Sequence, residues 1–218
     1  MTEPFFTLPG DNAMAALAAD LFDTGYAIRP DFINAAARLA LRAQADQALA
    51  RGETRRAGIG REHLATRDAN IRKAQTLWIE RGTPIHDAFL DWSEALRRAL
   101  NQQTFLGLFE FEAHYAHYPE GGFYARHRDS FAGARNRTIS FVLYLNEEWR
   151  ADWQGALALY DGDTDHVRDR VLPEPGTAVF MMAETQWHAV EQTRAPRCAI
   201  AGWWRVNQSG LERVDPPR

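Results

Sequence analysis

Three side chains, well separated along the chain, have the types and spacing to hold one divalent ion: His127, Asp129 and His188. Of the seven histidines, His127 alone begins a His-x-Asp triplet. At a strand end, residues i and i+2 project to one side, so His127 and Asp129 can reach the same ion while Arg128 points away. The third ligand has to come from a distant strand. His188, in the run QWHAV, opens a β-like segment that can lie alongside. Two imidazoles and one carboxylate leave the other positions of an ion open, which suits Fe(II) that must accept a chelating cosubstrate and O₂. Zinc hydrolysis uses similar ligands, so the triad alone leaves both chemistries standing.

Arg197 narrows the choice. It follows His188 by nine residues, in a strand expected to return antiparallel beside the one carrying His188. An arginine aimed inward is costly unless it meets an anion. A planar guanidinium grips a carboxylate at two points, which suits the distal carboxylate of 2-oxoglutarate. The competing reading is a surface arginine paired with an acid, a role that Arg194 fills more naturally. In the run TISFVLYLN, alternation places Tyr144 with Val142, Ser140 and Thr138, opposite the core face of Ile139, Phe141, Leu143 and Leu145. The Tyr144 hydroxyl can then donate to a ligand carboxylate or bridge to backbone.

These residues need a scaffold, and the chain supplies two textures. The first hundred residues are mostly helical. Asp11 is placed to cap a helix with apolar Met14, Leu17, Ala18 and Leu21, and Gly25 ends it. A strand at 26–29, a helix over 32–50, a strand at 76–80 and a helix over 85–100 follow. Residues 51–73 form a polar loop with seven Lys/Arg against three acids, read either as a solvated loop or as a substrate-covering lid. From 107 onward about eight short β runs alternate with turns, at 108–118, 123–127, 138–145, 156–160, 168–172, 178–182, 188–192 and 198–206. The expected fold is α+β: a double-stranded β-helix, or cupin-like jelly roll, with N-terminal helices on one outer face. At 218 residues a single domain is expected, with helical support over 1–106, a catalytic core over 107–207 and a tail at 208–218.

Composition sets the outer bounds. A net charge of −4 attracts no polyanion by itself, so nucleic acid is an unlikely partner without a local basic patch. Cys198 is the sole cysteine, which excludes an intrachain disulfide and a thiolate-rich metal site and fits a reducing compartment. With no stretch of 18 uninterrupted apolar residues and no secretory pattern at MTEPFFTLPGDN, a cytoplasmic protein without a membrane partner is expected. The run Asp161-Gly-Asp-Thr-Asp165 lacks the sixth-position glycine and the closing glutamate of a calcium loop and reads as a hairpin turn. His114 and His117, three apart in a β run, face opposite sides and make a poor chelating pair.

Five pieces of the chain occur together in a known order: IRKAQTLWIERG, HYPEGGFYARHRD, RTISFVLYLNEEW, the glycine of WQGALALY, and WHAVEQTRAPRCAIAGWW. Over residues 70–206 the chain thereby resembles the prolyl-4-hydroxylase branch of the 2-oxoglutarate/Fe(II) oxygenases, in particular the hypoxia-factor prolyl hydroxylases and their bacterial relatives. The resemblance implies iron ligands His127, Asp129 and His188, and a salt bridge from Arg197 to 2-oxoglutarate. It gives Tyr144 a hydrogen bond to the same carboxylate, places Tyr118 beside cosubstrate and iron, and puts Trp203 near the substrate. The spacing from Tyr118 to His127 is one residue shorter than in the animal enzymes. Arg72 and Trp78 fall where the family contacts its peptide. There the family's Ile-Arg-Gly-Asp becomes Ile71-Arg72-Lys73-Ala74, which keeps the arginine and removes the acid of the Arg-Asp pair that the family carries in its substrate loop. The implied reaction is hydroxylation of a prolyl residue in a protein or peptide, a translation protein such as elongation factor Tu being one target. It would use Fe(II), 2-oxoglutarate and O₂, with ascorbate as reductant in vitro. A hydroxylase of free amino acids, an oxidative nucleic-acid demethylase and a non-catalytic metal or oxoglutarate sensor remain as alternatives. The sequence is silent on oligomeric state.

Overall fold

Helix ends in the N-terminal half are set by local backbone chemistry. α1 (Asp11–Thr24) stops at Gly25, whose φ of +88° closes the last turn through a bond from its N–H to the Leu21 carbonyl. The cap at its start is Gly10; the side chain of Asp11 lies inside the first turn and makes no capping bond, contrary to the sequence expectation. β1 (Tyr26–Arg29) follows. α2 (Ala35–Ala50) begins later than its Ala/Leu pattern suggests, because the Asn34 side chain takes the Ala37 N–H at 2.8 Å and fixes the start. α3 (Pro84–Thr104) uses Thr83 as its cap and Pro84 in the first turn, where a missing N–H costs nothing.

Apart from a 3-10 turn at Ala151–Trp153, the remaining elements are strands: β2 (Arg55–Arg56), β3 (Arg72–Lys73), β4 (Gln75–Trp78), β5 (Leu108–Tyr118), β6 (Phe123–His127), β7 (Arg137–Tyr144), β8 (Leu157–Tyr160), β9 (Val167–Val171), β10 (Ala178–Met182), β11 (His188–Val190) and β12 (Arg197–Val206). The structure is a computed structural model and describes residues 5–56, 71–130 and 137–207. The ends of the expected basic loop, 55–56 and 72–73, are paired strands, whereas 57–70 and the tail 208–218 lie outside the described residues.

Two antiparallel sheets face each other. The larger has the order β1-β10-β7-β12-β5-β4-β2 and the smaller β3-β6-β11-β8-β9. Helices α1 to α3 cover the outer face of the larger sheet. Met14, Leu17, Leu41, Phe89, Trp92 and Leu96 meet Phe141, Phe180, Ile200 and Trp204 there in one core. Gly202 makes this possible, since a Cβ at that position would stand 2.6 Å from the Phe111 ring that lies against Trp204. The inner face of the same sheet meets the smaller sheet through Tyr118, Tyr144, Ala199, Leu157, Leu159 and Val190. One end of this second core opens into the cleft that carries the candidate site.

Sequence and structure disagree on one placement. The strand carrying Arg197 does not lie beside the strand carrying His188. β12 runs between β5 and β7 in the larger sheet, and β11 between β6 and β8 in the smaller. Residues 191–196 cross from one sheet to the other, tied by Thr193 N–H to Gly122 O at 3.0 Å and Gly121 N–H to Thr193 O at 2.7 Å. His188 and Arg197 therefore approach from opposite walls.

Candidate metal centre and active site

His127 ends β6 and His188 begins β11, and the two are directly paired across the strands. Their rings lie 4.2 Å apart, centroid to centroid. Asp129 sits just past the end of β6, with its carboxylate 3.6 Å from His127 Nε2 and 3.5 Å from His188 Nε2. All three donor atoms fall within 4.8 Å of one another, close enough to share one ion.

Backbone carbonyls fix the tautomers. His127 Nδ1 contacts Ala125 O at 2.8 Å, and His188 Nδ1 contacts Gln186 O at 3.2 Å. A carbonyl only accepts, so each Nδ1 carries the proton and each Nε2 presents a lone pair to the centre. Ser140, on the facing sheet, donates to Asp129 Oδ2 at 2.6 Å and bridges the two walls. Burial opposes ionisation of Asp129, but His188 and His127 beside it hold its carboxyl well below the usual carboxylate range. Burial, with His127 alongside, pushes His188 down to about 4. Near neutral pH Asp129 is therefore a carboxylate and His188 a neutral imidazole, protonation states in which each can serve a metal.

The deep end of the cleft belongs to the other sheet. Arg197 is 1% exposed, donates from Nε to Gly155 O at 3.1 Å, and makes no ion pair among the described residues. Gly155 holds that carbonyl with φ of +71°, where a Cβ would strike Thr193 at 2.8 Å. The Arg197 guanidinium lies 5.0 Å from both the Tyr118 and Tyr144 rings. Its Nη2 and the Tyr144 hydroxyl are buried with no hydrogen-bond partner among the described residues. A buried cation and a buried hydroxyl left unmatched cost several kcal/mol together, about 1–3 for the hydroxyl alone. The arrangement fits a carboxylate-bearing ligand that takes both.

The mouth is aromatic and cationic. Trp203 lies under Arg137 at 3.7 Å, beside His114 at 5.4 Å and Trp78 at 6.4 Å. Trp78 is 38% exposed at the rim, and Arg72 crosses the Tyr124 ring at 4.5 Å. The structure brings Tyr118, His127, Asp129, His188, Arg197, Trp203, Arg72 and Trp78 into one cleft of roughly 200 Å³, with the buried Tyr144 against Arg197 at its base.

Four contributors escaped sequence reasoning. Tyr124 stacks on His127 at 3.6 Å. Ser140 orients Asp129, and its shared face with Tyr144 was a usable signal. His114 lines the cleft, held neutral by burial that pushes it down to about 3. It does face away from His117, as alternation requires, and the test for a chelating pair overlooked its single-residue role. Arg137 carried no signal at all.

Comparison with known proteins gives the same grouping. The sequence profile of the 2OG-Fe(II) oxygenase superfamily matches residues 113–205, which contain the triad and Arg197. A Pseudomonas putida prolyl-4-hydroxylase is 34% identical over 88% of this chain and 98% of its own, with a TM-score of 0.79. A Trichoplax adhaerens prolyl hydroxylase, solved with a hypoxia inducible factor oxygen degradation domain peptide fragment, superposes at 0.79 with 21% identity over 89% of this chain and 90% of its own. A Phytophthora capsici prolyl 4-hydroxylase reaches 0.72 at 17% identity over 95% of this chain and 69% of its own. At those lower identities the last two speak to fold alone. The chain belongs to the 2-oxoglutarate/Fe(II) oxygenases, in their prolyl-4-hydroxylase branch, and is an Fe(II)- and 2-oxoglutarate-dependent dioxygenase.

Proposed function

We propose that residues 1–218 act as a single oxygenase domain that hydroxylates a prolyl residue in a protein or peptide. The observation that carries the site assignment is the pair of unmatched buried donors, Arg197 Nη2 and Tyr144 Oη, in the same cleft as His127, Asp129 and His188. The choice of proline rests on the 34% identity to the bacterial prolyl-4-hydroxylase.

In this reading His127, Asp129 and His188 would hold Fe(II), which supplies activation of O₂ coupled to oxidation of 2-oxoglutarate to succinate. Arg197 and Tyr144 grip the distal carboxylate, the guanidinium offering planar donors and the phenol a third. Tyr118 packs beneath the guanidinium and limits its swing. Ser140 keeps one Asp129 oxygen engaged, so that carboxylate cannot rotate freely. Trp203, Trp78 and Arg72 form the mouth against which an extended peptide would lie. A cleft of this size admits one side chain of a polymer while the rest stays outside.

The test is to incubate a bacterial lysate with the iron-loaded protein, 2-oxoglutarate and ascorbate, and to map single-oxygen gains by mass spectrometry against an Asp129→Ala control. Elongation factor Tu is the first protein to inspect. Gains on prolyl residues above the control are expected. Succinate formation without any prolyl gain would redirect the substrate to a free amino acid, and gains on nucleic acid would redirect it there. No succinate at all would leave a binding module.

A further inference from the structure

The outer face of the smaller sheet carries an arrangement directly behind the metal ligands. Arg126 and Arg128 flank His127 in sequence, and Trp187 precedes His188. Alternation sends all three side chains to the side opposite the ligands. There the guanidiniums of Arg126 and Arg128 lie 4.7 and 4.5 Å from the centre of the Trp187 ring. Arg126 also lies 4.7 Å from the Tyr160 ring, on the strand that pairs with β11. The acidic turn between β8 and β9 closes the group. Asp163 takes the Trp187 Nε1–H at 2.5 Å, and Asp165 takes Arg126 Nη1 at 2.6 Å. This gives the Asp161–Asp165 run a role that its failed calcium pattern did not.

We propose that Trp187, gripped by Arg126 and Arg128, is a positioning device for the metal centre. It sets the separation of His127 and His188 by fastening their two strands from behind. The inference rests on the ligand assignment made above. Its physical basis is that β11 is only three residues long and its pairing with β6 slips between His188 and Val190. A short, irregular strand pair leaves ligand spacing under-determined. The Nε atoms of both arginines are buried without hydrogen-bond partners among the described residues, so contact with the ring face is a principal hold on these guanidiniums. Cation–π contact strengthens as water is excluded. The Asp165 bond contributes less, because that carboxylate is almost fully exposed.

The test uses Mn(II) alone as probe, its binding to the intact protein followed by electron paramagnetic resonance with no cosubstrate or turnover. Trp187→Ala is expected to weaken Mn(II) binding about tenfold, the low end for losing an outer-shell partner. Arg126→Ala and Arg128→Ala should each weaken it by a smaller factor. Trp187→Phe, which keeps a ring for both guanidiniums but not the bond to Asp163, should remain within about twofold of the unmodified protein. Leu41→Ala, in the helical core behind the other sheet, should lower Tm and leave Mn(II) affinity unchanged. The proposal is overturned if Trp187→Ala loses Tm but binds Mn(II) normally. It is equally overturned if Leu41→Ala weakens binding as much at equal loss of Tm, or if the phenylalanine variant is as weak as the alanine one. Should Trp187→Ala fail to fold, unchanged Mn(II) affinity in both arginine variants overturns it. If the unmodified protein binds no Mn(II), the metal centre falls as well. If it binds and Asp129→Ala does not, the centre stands and the clamp alone is being judged.

Discussion

Strands β5, β7 and β12 present two faces that share a backbone and differ in chemistry. On the helix-covered face the polar groups are matched: His86 with Tyr115, Ser93 with the Phe89 carbonyl, Trp204 with the Ser93 carbonyl and Trp92 with the Thr7 carbonyl. On the inner face Arg197, Tyr144 and Trp203 keep buried donors without partners among the described residues. Both faces are well excluded from water, so burial does not distinguish them. The difference lies in satisfaction of polar groups. A face built for stability completes its hydrogen bonds internally, and a face built for a ligand leaves them for the ligand to complete.

The two faces should therefore break in different ways. Asp129→Ala removes a proposed iron ligand and should cut 2-oxoglutarate turnover by more than ~100-fold, the upper end for losing a group that only supports a ligand, with Tm nearly unchanged. Succinate assay and thermal melting check this together. Trp204→Ala, on the covered face and fully buried, should cost about 3–5 kcal/mol of stability in urea unfolding and leave the KM for 2-oxoglutarate as it was.

Acid should act mainly on the inner face. Burial pushes His114 down to about 3 and His188 down to about 4, against an ordinary value of 6.5. As pH falls below about 6.5 the unfolded chain takes up protons that the folded chain refuses, so stability falls toward pH 4. The slope for the metal-free protein should approach about 1.4 kcal/mol per pH unit for each histidine, and His114→Gln should remove one share. Urea unfolding at pH 7 and pH 5 measures it. Tyr144→Phe gives the smallest effect and the sharpest contrast. Without cosubstrate the variant should be as stable as the parent or more so, since an unmatched hydroxyl is gone. Its affinity for 2-oxoglutarate should fall by about 1.5 kcal/mol, the low end for one hydrogen bond to a charged group.

How far the sequence disclosed this layout follows from the same physics. Alternation along TISFVLYLN separates Tyr144 and Ser140 from Ile139, Phe141 and Leu143 with nothing but a period of two. The eight strands after residue 107 fall within three residues of their expected ends, because turn residues punctuate them. The His-x-Asp pair lands together because a strand end dictates it. Sheet membership was not legible: nothing in the residues 191–196 tells a return beside β11 from a crossing to β5 and β7, since both need a turn of that length. The Trp187 cluster was hidden for a related reason. Its members are near neighbours of the ligands, but their contact depends on which strands pair. Asp11 shows the limit of propensity: a good cap residue one position late makes no cap.

The role proposed for Arg197 is to read the far carboxylate of the cosubstrate beside a three-residue metal centre. The direct measurement is a binding cycle on the metal-loaded protein without O₂, comparing 2-oxoglutarate with 2-oxopentanoate, which lacks that carboxylate, in the parent and in Arg197→Met. The parent should prefer 2-oxoglutarate by roughly 10- to 150-fold, the 1.5–3 kcal/mol of hydrogen bonds to a charged group, and the variant should lose that preference. An Arg197→Met protein that still discriminates between the two acids as strongly as the parent would contradict the account.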